Sequence, residues 1–65
     1  MDKPLTDKQR RMLAAGKFHF TSNRDDADNH RQAAELETRG LIKIDPVLYE
    51  GAQETFYNCT VISHG

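Results

Sequence analysis

The spacing of apolar and polar residues divides the chain into helical and extended stretches. Wound at about 100° per residue, Ala27, His30, Ala33, Ala34, Leu36 and Leu41 fall on one half of a wheel, and Arg24, Asp28, Arg31, Gln32, Glu35, Thr38 and Arg39 fall on the other. The first half is expected to pack and the second to meet solvent. His30 and Glu37 lie near the middle of the packed half and read as boundary residues; a sharper reading makes this alanine-rich side a partner-binding face. Arg39 in the last turn, Gly40 at C′ and Leu41 able to fold back onto Leu36 mark a Schellman stop with a left-handed glycine.

An earlier helix begins where Thr6 and Gln9 form a capping box. It runs through 7–15 with Asp7 at the positive end of its dipole, shows a narrow stripe of Met12 and Leu13, and stops at Gly16. From Lys17 the period falls to two. Phe18 and Phe20 share one side of an extended segment, 17–21, and His19 takes the other. Ser22 and Asp25 offer a second capping box, after which the charged stretch 23–29 opens the long helix.

Beyond Gly40, 41–45 and 55–62 are strand-like. Between them Pro46 lacks a donor and Gly51 permits a turn, so 46–54 reads as a hairpin tip. In the second run Thr55, Tyr57, Cys59 and Val61 share the more core-like face. The expected fold class is α+β: a single domain over 1–65, with two main helices followed by a β-hairpin and a short strand or extended link at 17–21.

The run AAELETRGLIKI, Ala33 to Ile44, resembles the second half of a winged helix-turn-helix domain, whose recognition helix ends in a phrase of the form LExxGLI and leads into the β-wing. The resemblance implies a small winged-helix-like domain acting as a DNA-binding regulator, with 17–21 as the brief strand that pairs with the wing. It implies a reading helix carrying Arg24, Asn29, Arg31, Gln32 and Arg39, with Lys43 at the wing base. A full member has a separate helix before the recognition helix. Only about seven residues, Thr21 to Ala27, are available for it here, so it is shortened to a turn or absent.

Charge qualifies that reading. The net charge of −1 gives no broad hold on phosphates, yet residues 1–24 carry +4, Lys3 included, and residues 25–65 carry −5. The split reads as a basic face on the first helix or as head-to-tail attraction between copies. Asn29 and Gln32 have the amide pair that reads adenine, but Arg24 with Asp28, Arg31 with Glu35, and Glu35 with Arg39 have the spacing to cancel one another. The alternative is a protein-interaction module or inhibitor of phage or mobile-element type, using the acidic C-terminal half or the alanine face without binding DNA.

Candidate chemistry is sparse. His19, His30, His64 and Cys59 lack the spacing of a metal site, Cys59 has no sequence-adjacent base, and no glycine-rich phosphate cradle is present. No catalytic residue, metal or cofactor is expected, and the chain reads as a non-enzyme. Asp25, Asp26 and Asp28 complement a helix N-terminus. A single cysteine and the lack of a charged-then-apolar leader fit a reducing, cytoplasmic setting. The longest uncharged run, 55–63, is far short of the ~20 apolar residues of a membrane span. The candidate core, in which Leu48 and Ile62 are counted, is small enough that a homodimer is expected, through Val47, Leu48 or Tyr49 if the hairpin tip is exposed.

Overall fold

The structure, a computed structural model, describes residues 4–64; Lys3, counted in the basic N-terminal third, lies outside them. The architecture is small α+β: helix α1 (Asp7–Ala15), strand β1 (Lys17–Thr21), a 3₁₀ turn (Arg24–Asp26), helix α2 (Ala27–Thr38), and strands β2 (Ile42–Val47) and β3 (Phe56–Val61). The helices do not precede the sheet as a block. β1 lies between them in the chain and completes an antiparallel sheet of order β1-β3-β2.

Both bonds of the first capping box form: the Gln9 N–H donates to Thr6 Oγ1 at 3.1 Å, and the Thr6 N–H donates to Gln9 Oε1 at 3.0 Å. The rest of the Gln9 side chain is fully buried, and its Nε2 donates to the Gln32 carbonyl at 3.3 Å, tying α1 to α2. α1 ends at Gly16, with φ 80° and ψ −42°. α2 ends as its sequence indicates. The Leu41 N–H reaches the Leu36 carbonyl at 3.0 Å, the Gly40 N–H reaches the Glu37 carbonyl at 2.9 Å, and Gly40 has φ 76°, the two bonds and the left-handed glycine of a Schellman motif.

The start of α2 differs from the expected continuous helix. The Asn23 side chain, not Ser22, caps the turn, accepting the Asp25 N–H at 2.9 Å. Ser22 is still held by the sheet through its own N–H to the Thr55 carbonyl at 2.9 Å, and its hydroxyl accepts the Thr55 N–H at 3.0 Å. With its hydroxyl engaged by Thr55, Ser22 does not cap the helix, and a 3₁₀ turn capped by Asn23 precedes Ala27.

The buried face of α2 is turned by about a quarter of the wheel from the alanine side. Ala33 and Leu36 are buried, and Asn29, Gln32 and Arg39 are half-buried, whereas Ala27, His30 and Ala34 are exposed. Alanine gains little from burial, so the bond from Gln9 and the fit against α1 decide the rotation. Met12, Leu13, Phe20, Leu41, Ile42 and Cys59 complete the core with Ala33 and Leu36. Leu48 and Ile62 are not part of it, at 76% and 62% exposure. Leu48 lies in the loop beyond β2, and Ile62 shares a face with Asn58 and Thr60, which carries no helix.

Three hydrogen bonds set the phase of the ladders. The Val61 N–H donates to Gly16 and the Ser22 N–H to Thr55, both at 2.9 Å, so Phe18 and Phe20 direct their main-chain groups to β3 while Lys17, His19 and Thr21 direct theirs outward. The Ile62 N–H bond to Leu41, also 2.9 Å, leaves Ile42, Ile44 and Pro46 outward on β2. Pro46, expected in the hairpin tip, therefore lies within a strand. It occupies an edge position where no ladder donor is required.

Candidate functional site

The residues expected on a reading helix do not form one surface. Asn29 Nδ2 donates to Asp26 Oδ1 at 3.1 Å, and Gln32 Oε1 accepts the Thr6 hydroxyl at 3.2 Å. Both amides belong to the α1 side of α2 rather than to the solvent side predicted from the wheel. Arg31 pairs with Asp28 at 2.8 Å instead of with Glu35, and Arg39, also half-buried, pairs with Glu35 at 3.1 Å. Asp28 is shared with Lys8 of α1 at 2.7 Å. These bonds from Lys8 and Arg31 hold the Asp28 carboxyl below its usual range.

Arg24 makes no ion pair among the described residues. It lies in the 3₁₀ turn, where helical i, i+4 spacing to Asp28 does not apply. Lys43 projects from the opposite face of the sheet to the helices, beside Asp45 at 3.9 Å and across β3 from Lys17 in the row Lys17–Thr60–Lys43. Only Arg24 and Arg31 remain together on the outer flank of α2. With Ala27, His30 and Ala34 they border a shallow depression of about 360 Å³.

Two features of this region have no sequence signal. Asp26 Oδ2 accepts both the Thr21 N–H at 2.9 Å and the Thr21 hydroxyl at 2.8 Å, which closes the end of β1. The Thr21 backbone bond, then the hydroxyl and Asn29, hold the Asp26 carboxyl below its usual range. His30 lies over the rings of Phe20 and Tyr57, with centroids 5.3 and 4.9 Å away, so its position on the alanine side is explained by aromatic contact at the sheet margin.

Among the described residues no group of three His, Cys, Asp or Glu side chains converges to hold a metal ion, and no helix is long and apolar enough to cross a membrane. Cys59 is buried in the core. Burial, with Glu37 and Asp45 nearby, pushes its thiol up to about 11, so it is held in the unreactive neutral form at neutral pH. Comparison of the chain with family models, curated proteins and solved structures returned no match.

Proposed function

We propose that the chain is a small non-enzymatic interaction module that docks a protein partner on a reduced winged-helix-like frame. The order of elements supports the frame: a short strand follows the first helix and pairs with the hairpin, and the 3₁₀ turn Arg24–Asp26 occupies the stretch available to a middle helix. The observation that carries the function is the rotation of α2. The amides a DNA reader would present are engaged with Asp26 and Thr6, while Ala27 and Ala34 face outward. Alanines let another backbone approach closely and offer no hydrogen bond to the edge of a base.

One observation favours duplex binding as a second reading: Arg24 has no ion-pair partner among the described residues and shares the outer flank of α2 with Arg31. Titration of labelled duplex at ~50 mM salt separates the two, because phosphate contacts are strong there. The interaction reading expects no binding. It also expects a photo-crosslinking group at Ala34 to capture a protein in the native cell, and the same group at Thr60 to capture none. Duplex binding that disappears when Arg24 and Arg31 are changed to Ala would overturn it.

A further inference from the structure

The edges of the sheet differ in what they offer another chain. On β2 the outward groups belong to Ile42, Ile44 and Pro46. The Ile44 N–H is taken by the Glu37 carboxylate at 3.1 Å, and Pro46 has no N–H. An added strand would find no two successive donors there. On β1 the Thr21 N–H is likewise taken, by Asp26, but the outward N–H and C=O of Lys17 and His19 have no partner among the described residues.

A groove of about 260 Å³ runs beside this open edge between α1 and β1. It is lined by Phe18 and Phe20 from one face of the strand and by His19 from the other, so it follows the edge rather than crossing a face. Met12 and Ala15 give it an apolar floor, and Lys8 and Arg11 stand on its α1 rim. Arg11 and Lys17 are exposed and make no ion pair among the described residues. Asp26, the acid at the far end of the strand, is engaged at both oxygens by Thr21 and Asn29.

From this geometry we infer that the β1 edge takes an extended acidic peptide segment of a protein partner, added as a fourth strand beside Lys17 and His19. Main-chain bonds give such an addition its affinity, and side-chain pockets at alternate positions give it specificity. Here an apolar side chain enters the Met12–Phe18 groove, the flanking carboxylates, which face away from α1, meet Lys17, and Arg11 adds positive charge on the groove rim. A second copy of the chain fits poorly, since pairing β1 with β1 brings Arg11, Lys17 and His19 against their own counterparts. The inference concerns a different surface from the outer flank of α2 and takes from the interaction reading only that the partner is a protein.

The test uses the full chain, isotope-labelled for NMR, titrated with the peptide acetyl-EVDVE-amide and, separately, with acetyl-KVKVK-amide. The acidic peptide is expected to shift the Lys17 and His19 amides and to slow their hydrogen exchange by about tenfold, with cross-strand contacts to β1 and no such effect on β2. The basic peptide is expected to do neither. His19→Pro removes an outward donor and should abolish the effect; Lys17→Glu leaves the backbone intact and should weaken binding by about tenfold. Unperturbed Lys17 and His19 amides, equal response to both peptides, or binding insensitive to Lys17→Glu would overturn the inference. Protection of these amides that grows with protein concentration and needs no peptide would overturn it in favour of a second copy. Should a protein be captured through Ala34 while the acidic peptide leaves the Lys17 and His19 amides unperturbed, this inference falls and the interaction reading stands. Duplex binding through α2 alongside peptide pairing at β1 would do the opposite, removing the interaction reading of α2 and upholding the open strand edge.

Discussion

Two helix–glycine–strand units make up most of this molecule, α1–Gly16–β1 and α2–Gly40–β2, and they close in different ways. Both glycines have positive φ, and both strands send one outward N–H to a carboxylate, Thr21 to Asp26 and Ile44 to Glu37. α2 finishes with the two bonds of a Schellman motif. α1 finishes with one, from the Gly16 N–H to the Leu13 carbonyl at 3.3 Å, and with φ 80° and ψ −42°, outside the left-handed helical basin. The second unit thus has a stop that other residues could approximate and an edge sealed by proline. The first has a stop that only glycine adopts readily and an edge left half open. Strand protection is therefore local, residue by residue, rather than a property of the sheet.

The two units should differ most at their glycines. Gly16→Ala is expected to cost about 2 kcal/mol and Gly40→Ala about 1 kcal/mol, because alanine tolerates the left-handed basin better than the region Gly16 occupies. Neither added Cβ meets an atom within 4 Å, so the difference reports backbone strain alone. Equal denaturant midpoints would show that the two stops are equivalent, and stabilisation by Gly40→Ala would mean that α2 runs on.

The carboxylate clamps come next. Asp26 accepts three bonds and Glu37 one, so Asp26→Ala is expected to lower thermal stability more than Glu37→Ala. Because the folded carboxyl of Asp26 is held below its usual range, its contribution is present above the unfolded value of about 3.9 and is lost as pH falls through the lower folded value. The Thr21 amide shift should follow that loss in an NMR titration, and Asp26→Asn should remove it. A Thr21 amide that does not respond to acid would refute the clamp.

Two smaller effects sharpen the contrast in edges. Pro46→Val supplies the outward donor that β2 lacks; stability should change by no more than ~0.5 kcal/mol, while sedimentation should show new self-association. Tyr49, 58% exposed, packs its ring edge-on to Phe56 beside Leu48, and this apolar tip is the surface we propose for homodimerisation of the unmodified chain. Leu48→Ser is expected to leave folding unchanged and to return the sedimenting mass to the 7.4 kDa monomer. If the unmodified chain already sediments as a monomer at high micromolar concentration, the tip has another use.

What the sequence made legible was whatever a few neighbouring residues decide among themselves. Thr6 and Gln9 cap each other, Gly40 and Leu41 end α2, and Phe18 and Phe20 alternate with His19, all within a span of a few residues. The rotation of α2 was not legible, because it depends on the reach of Gln9 to a carbonyl 23 positions away. That contact, with the fit of α2 against α1, moved Asn29 and Gln32 out of the candidate site and brought Ala27 and Ala34 to the surface. The clamps on Thr21 and Ile44 were hidden for the same reason: an aspartate near a helix start and a glutamate near a helix end look like ordinary solvated charges until the strand beside them is known.

Position 9 carries a restriction on sequence drift. A capping box accepts glutamate as readily as glutamine, since either offers an oxygen to the N-cap amide. Here the other end of the side chain must donate to the Gln32 carbonyl while fully enclosed. Glutamate would keep the cap but turn that donor into a second acceptor, and would enclose a charge whose neighbours at that end among the described residues offer a carbonyl and no cation. Two residues that are synonyms at most helix starts have become distinct in this one, so homologous chains that retain the packing of α1 on α2 should hold glutamine at this position even where the rest of α1 has diverged.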